Sequence, residues 1–149
     1  MPIAQVNGAE IHYEIHGTGP ETILFAHGLL WSGAMFAAQV EALRSSYRCV
    51  TFDFRGQGQS AVTETGYDMD TLALDAAALI EHLRLGPCHV VGLSMGGFVA
   101  MRLAARRPDL VRSLILLETA ADAEPAANVP RYRLLNFIAR WFEIGRAHV

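Results

Sequence analysis

Apolar positions along this chain change their spacing at nearly every glycine- or proline-bearing break, and the changes predict alternating strands and helices. Residues 22–27 (Thr-Ile-Leu-Phe-Ala-His) and 49–54 (Cys-Val-Thr-Phe-Asp-Phe) are the largely apolar runs expected of parallel strands buried on both faces. Between them Phe36, Val40 and Leu43 share a helical face. Leu72, Ala76, Leu79 and Leu83 form a second helical stripe, between Asp68, a candidate cap, and the Gly86-Pro87 stop. Val90, Val91 and Leu93 make another short run, after which Phe98, Met101, Leu103 and Ala105 resume helical spacing up to Arg106-Arg107-Pro108. Residues 111–118 predict a further core strand, and Pro130 opens a helix carrying Leu134, Leu135, Ile138, Trp141 and Phe142. Near the N-terminus, Asn7-Gly8 is a two-residue hairpin signal. In the strand that follows, Ile11, Tyr13 and Ile15 face one way, and Glu10, His12, Glu14 and His16 face solvent. The predicted fold is α/β, a mostly parallel twisted sheet with an N-terminal antiparallel hairpin and helices on both faces. Ligands of such sheets bind beyond the carboxyl ends of the strands.

The sharpest change of period falls at Gly92-Leu93-Ser94-Met95-Gly96-Gly97. In a G-x-S-x-G turn between strand and helix, a strained backbone lifts the serine hydroxyl clear of the sheet. Gly92 and Gly96 stand where side chains would collide, and the Met95 N–H, in the first helical turn, has no partner within the helix. Such an N–H can hold negative charge on a reacting oxygen. The run at residues 22–27 ends in His27-Gly28-Leu29-Leu30, where Gly28 lets the chain turn so that the Leu29 N–H also faces Ser94. His27 is expected to bind neighbouring backbone and, with Gly28, to order this loop rather than to act as a base. Residues 53–60 (Asp-Phe-Arg-Gly-Gln-Gly-Gln-Ser) lack both the third glycine of a dinucleotide loop and a P-loop ending. A structural loop pinned by Asp53 and Arg55 is expected there.

At 149 residues the chain is at most one ordinary domain, or part of a larger one. Its net charge of −3 leaves no basic footprint, so neither nucleic acid nor membrane is an expected partner and a small-molecule substrate is. The N-terminal residues carry no signal-peptide pattern, which predicts a cytoplasmic protein. Cys49 and Cys88 each open a predicted strand, as buried thiols do. No Cys or carboxylate spacing completes a metal site around His12 and His16, and no cofactor is called for. Oligomeric state is open.

Three motifs in order, His27-Gly28-Leu29, residues 53–60 and residues 92–97, resemble the α/β-hydrolase fold family. The similarity is to its lidded serine hydrolases: esterases, enol-lactonases, carbon–carbon bond hydrolases and cofactor-free haloperoxidase-like enzymes. It implies Ser94 as nucleophile, Leu29 and Met95 as oxyanion N–H donors, and hydrolysis of a small ester or lactone through an acyl-enzyme. It also implies that the strands bearing Cys49 and Cys88 are kept apart, which argues against a disulfide. Residues 1–120 then correspond to the first part of a core that has eight strands in the family, residues 121–142 to the start of the lid, and 122–125 to a linker. The triad acid and base of the family follow later strands, so this chain is expected to lack the histidine and to be inactive by itself. Some relatives place the orienting carboxylate where Glu118 stands; in others that position is structural. Residues 143–149 read like a translated sequencing adapter and are expected to be foreign to the protein. The alternative to an enzyme is a non-catalytic binding protein or inert fragment of the same fold.

Overall fold

The computed structural model describes residues 2–122 and 126–141; residues 123–125 of the expected linker, Phe142 and the expected foreign tail at 143–149 lie outside them. Strands β1 (Ile3–Val6) and β2 (Ala9–His16) form an antiparallel hairpin. Its turn places Asn7 and Gly8 at φ +46° and +74°, the left-handed pair that a tight hairpin needs. There follow β3 (Thr22–Ala26), α1 (Ala37–Leu43), β4 (Arg48–Phe52), α2 (Met69–His82), β5 (Cys88–Leu93), α3 (Met95–Arg106), β6 (Val111–Leu117) and α4 (Val129–Trp141). The sheet order is β1-β2-β4-β3-β5-β6, with β4, β3, β5 and β6 mutually parallel.

Alternate residues of the apolar strands serve opposite layers. Ile23, Phe25, Cys49 and Val91 pack with Phe36 and Val40 on the α1 side. Leu24, Ala26, Val50, Phe52 and Val90 pack with Leu72, Ala76 and Leu79 of α2 and Val99 and Leu103 of α3 on the other. Each such large side chain stabilises the fold by about 1.5–3 kcal/mol relative to exposure. Asp68 caps α2 by accepting from the N–H groups of Asp70 and Thr71. Cys49 and Cys88 are free, buried and separated by β3; burial raises both thiols, Cys88 to about 11.

Two sequence readings need correction. His12 is not solvated but 4% exposed, because residues 53–60 fold over its side of β2; its N–H donates to Ser60 Oγ at 2.9 Å. Strand β6 is core only in part among the described residues: Val111 and Leu114 pack against the main cluster, but the strand pairs with β5 alone, and Ile115, Leu116 and Leu117 remain 43%, 41% and 38% exposed. On α4, Leu134, Leu135 and Ile138 are likewise exposed, Leu134 and Leu135 by half or more.

Candidate active site

Ser94 is the single residue between β5 and α3, and its backbone stands at φ +50°, ψ −113°. A serine held there carries a strain of about 1–3 kcal/mol, which persists only where the surroundings over-determine it. They do so on both sides. The Ser94 N–H donates to Leu117 O at 2.9 Å, extending the β5–β6 ladder, and its carbonyl accepts from Gly97 N, Phe98 N and Thr119 Oγ1 at 2.9, 3.2 and 3.0 Å. Glycine is required at the crossings: a Cβ on Gly92 would lie 2.6 Å from Gly96 O, and one on Gly96 would strike the carbonyls of Ala26 and His27. The Ser94 hydroxyl, half-buried, makes no hydrogen bond to a described residue.

The loop after β3 passes directly beside this turn. A Cβ on Gly28 would meet Leu93 Cδ2 at 3.0 Å and Ser94 Cβ at 3.9 Å. Neither the Leu29 nor the Met95 N–H has an acceptor among the described residues. His27 is fully buried, with Nδ1 donating to Gly28 O at 2.7 Å and Nε2 accepting the Phe54 N–H at 3.0 Å. Both ring nitrogens are thereby committed and the neutral Nδ1–H tautomer is dictated. Burial holds the His27 pKa below its ordinary value, partly opposed by the Gly28 hydrogen bond and the Asp53 charge. Such a ring cannot take a proton from a serine without breaking the bond to Phe54.

Asp53 and Arg55 pin the 53–60 loop. Asp53 accepts from Gly33 N at 2.7 Å, Gln59 N at 2.8 Å and His12 Nδ1 at 3.1 Å. Arg55 reaches Asp75, Asn7 O and Thr65 O. Sequence reasoning missed Gln57, which is 9% exposed and accepts the Leu30 N–H at 2.7 Å. The only local signal was a long amide between two glycines, and the partner stands 27 residues away. Glu118 follows β6 at φ +46°, exposed, one residue past the Leu93–Leu117 pair and so alongside Ser94 at the sheet's edge. Its carboxylate makes no ion pair or hydrogen bond to a described residue. Among the described residues no group of three or more His, Cys, Asp or Glu could hold a metal, and no described helix is long and apolar enough to cross a membrane.

A strained serine between a parallel strand and a helix N-terminus, at the carboxyl edge of a sheet with helices on both sides of its inner strands, defines an α/β protein with a hydrolase-type elbow. The profile of the alpha/beta hydrolase fold matches residues 21–144. A protein provisionally named carbamate hydrolase RutD, from Rhizobium rhizogenes, is 35% identical over 120 residues, covering 77% of this chain and 45% of that one. A solved esterase from Thermogutta terrifontis superposes with a TM-score of 0.86 at 31% identity, covering 94% of this chain and 54% of the esterase. The enol-lactonase of Burkholderia xenovorans gives 0.81 at 33% identity, covering 92% and 58%. The chain belongs to the α/β-hydrolase fold family. It spans about half the length of the curated relatives it matches.

Proposed function

We propose that the chain carries the nucleophile half of a serine hydrolase that cleaves a small-molecule ester or lactone through an acyl-enzyme. The observation that carries this reading is the conformation of Ser94: strained, fixed on both sides, with its hydroxyl unbonded and the neighbouring Leu29 and Met95 N–H groups without acceptors among the described residues. In the proposed reaction, Ser94 Oγ attacks the acyl carbon as a base removes its proton, and the carbonyl oxygen gains negative charge facing the Leu29 and Met95 N–H groups. The carbon–oxygen bond of the ester then breaks, the alcohol leaves with the proton, and water splits the acyl-serine to release the acid and restore the hydroxyl. His27 is committed to Gly28 and Phe54, and the base is proposed to come from the later part of the full gene product, beyond residue 149. The carboxylate that orients the base is proposed to be one on a later loop of the full product, with Glu118, beside Ser94 at the end of β6, as the alternative; Asp53 is saturated by its loop partners. The lid is proposed to begin near residue 121, and the short chain is expected not to turn over by itself.

The test compares the 149-residue chain with the full product of its gene, using a p-nitrophenyl ester and a serine-directed fluorophosphonate. Turnover and labelling at Ser94 in the full product, both abolished by Ser94→Ala, are the expected result. A full product that neither turns over nor labels at Ser94 refutes the enzyme reading and leaves a non-catalytic member of the family.

A further inference from the structure

The two N–H groups beside Ser94 come from distant parts of the chain, and a single buried side chain reaches both segments. Gln57 Oε1 accepts the Leu30 N–H at 2.7 Å, and its Nε2 donates weakly to Met95 Sδ at 3.9 Å. The base of that side chain is itself fixed: the Gln57 N–H donates to Phe54 O at 2.9 Å, and its carbonyl accepts from Ser60 N at 3.1 Å. Leu30 stands at φ +60°, a left-handed conformation that a branched side chain seldom holds without an external tie.

On the other side of Leu29, the tie is His27. The Gly28 carbonyl belongs to the same peptide unit as the Leu29 N–H, so the bond from His27 Nδ1 sets the direction in which that N–H points. His27 in turn is held by Phe54 N. The peptide units before and after the Leu29 Cα are thus both clamped from residues 53–60, one through His27 and one through Gln57.

We infer that Gln57 is a positioning residue for the hydrolase, fixing the direction of the Leu29 N–H and its spacing from the Met95 N–H; the inference rests on the proposed reading of these two groups as oxyanion donors. Its chemistry suits the task. One end of the amide must accept from Leu30 and the other must donate toward a thioether, which leucine and glutamate cannot both do. Asparagine keeps the amide but is one methylene too short for a span already at hydrogen-bond distance. Donors aimed at developing charge act through their pre-set geometry, so a shift on the order of 1 Å weakens the transition state far more than the bound substrate.

The experiment uses the full gene product, wild type against Gln57→Leu and Gln57→Asn, with ester kinetics and inhibition by a trifluoromethyl ketone whose tetrahedral adduct places an oxyanion against these donors. Both variants are expected to lose about tenfold to a hundredfold in kcat and a similar factor in affinity for the ketone, with KM within about twofold. A general loosening of the fold would instead lower melting temperature and kcat together without singling out the ketone. Wild-type turnover with variants unchanged in kcat overturns the positioning role while leaving the hydrolase reading intact; no wild-type turnover refutes that reading first. Should neither variant fold, amide exchange in the wild type decides. Protection of the Leu30 N–H is expected, and exchange there as fast as at exposed Trp31 overturns the clamp.

Discussion

The Asp75 carboxylate grips the Arg55 guanidinium in a two-point contact, Arg55 Nε to Oδ2 at 2.7 Å and Nη2 to Oδ1 at 2.6 Å, with both side chains 6% exposed or less. Asn7 completes the junction from the hairpin turn, donating Nδ2 to Asp75 Oδ1 at 2.7 Å and accepting Arg55 Nη2 on its carbonyl at 3.0 Å. One ion pair therefore ties β1–β2, the 53–60 loop and α2. Removing one partner strands a buried charge, which costs about 3–5 kcal/mol, whereas replacing both by apolar groups is often near neutral. Asp75→Asn is expected to lower the unfolding free energy by that amount in urea titrations. The pair of changes Arg55→Met and Asp75→Leu is expected to cost less than Asp75→Asn alone. A double variant weaker than the single would show that the hydrogen bonds, not the charge pair, hold the junction.

Gly96 limits how close α3 and β3 come. A Cβ at this position meets backbone carbonyls of Ala26 and His27, which have no rotamer to yield. Gly96→Ala must push the helix N-terminus away from the sheet, a repacking that costs about 1–3 kcal/mol. It also carries the Met95 N–H off its line. Thermal melting of the variant is expected to fall, and in the full gene product labelling at Ser94 by a fluorophosphonate is expected to slow at least tenfold. Labelling at the wild-type rate would show that the elbow tolerates the displacement.

The parts of this architecture legible in the sequence are those written in local patterns. The apolar runs that become β3, β4 and β5, the Asp68 cap and the glycines around Ser94 each declare themselves within a few residues. What escaped depends on long-range cover. His12 obeys the alternation of a solvated strand face, yet the 53–60 loop buries it. Asp75 is a carboxylate on the apolar face of α2, between Leu72 and Leu79, and its 1% exposure is explained by partners far away in sequence, Arg55 at 20 residues and Asn7 at 68. Gln57 is invisible for the same reason, since nothing within its own loop reports that Leu30 lacks a partner. Strand β6 errs in the other direction: Ile115, Leu116 and Leu117 read as core with the rest of the strand, and the described residues leave these three open.

The committed ring of His27 makes stability depend on pH in a predictable direction. Its folded pKa lies below the ordinary 6.5, so below about pH 6.5 the unfolded chain binds a proton that the folded chain refuses. The associated stability is present above that pH and is lost as pH falls through the window, with a slope of at most about 1.4 kcal/mol per pH unit. Asp68, Asp70 and Asp109, shifted below 3.8 by hydrogen bonds and nearby arginines, act only in more acidic solution. Urea midpoints are therefore expected to decline from pH 7 to pH 5, with a flatter decline in His27→Asn. Equal slopes in the two proteins would assign the trend to another group.

The open face and edge of β6 set the solution behaviour of the 149-residue chain. Ile115, Leu116 and Leu117 are exposed on a strand with one hydrogen-bonding edge unpaired among the described residues, and Leu134, Leu135 and Ile138 of α4 are exposed as well. A long apolar edge is a template for pairing with another chain, and a single inserted charge is enough to oppose it. Leu116→Lys adds such a charge at a position already 41% exposed, so the cost to the folded chain is expected to be small, within about 0.5 kcal/mol. Light scattering on concentrated samples is expected to show self-association of the unaltered chain and a marked reduction in Leu116→Lys at unchanged melting temperature. A monodisperse, cooperatively melting monomer without the substitution would mean that β6 is covered in solution. The covering element would then have to lie outside the described residues, since those in contact with β6 leave Ile115, Leu116 and Leu117 open.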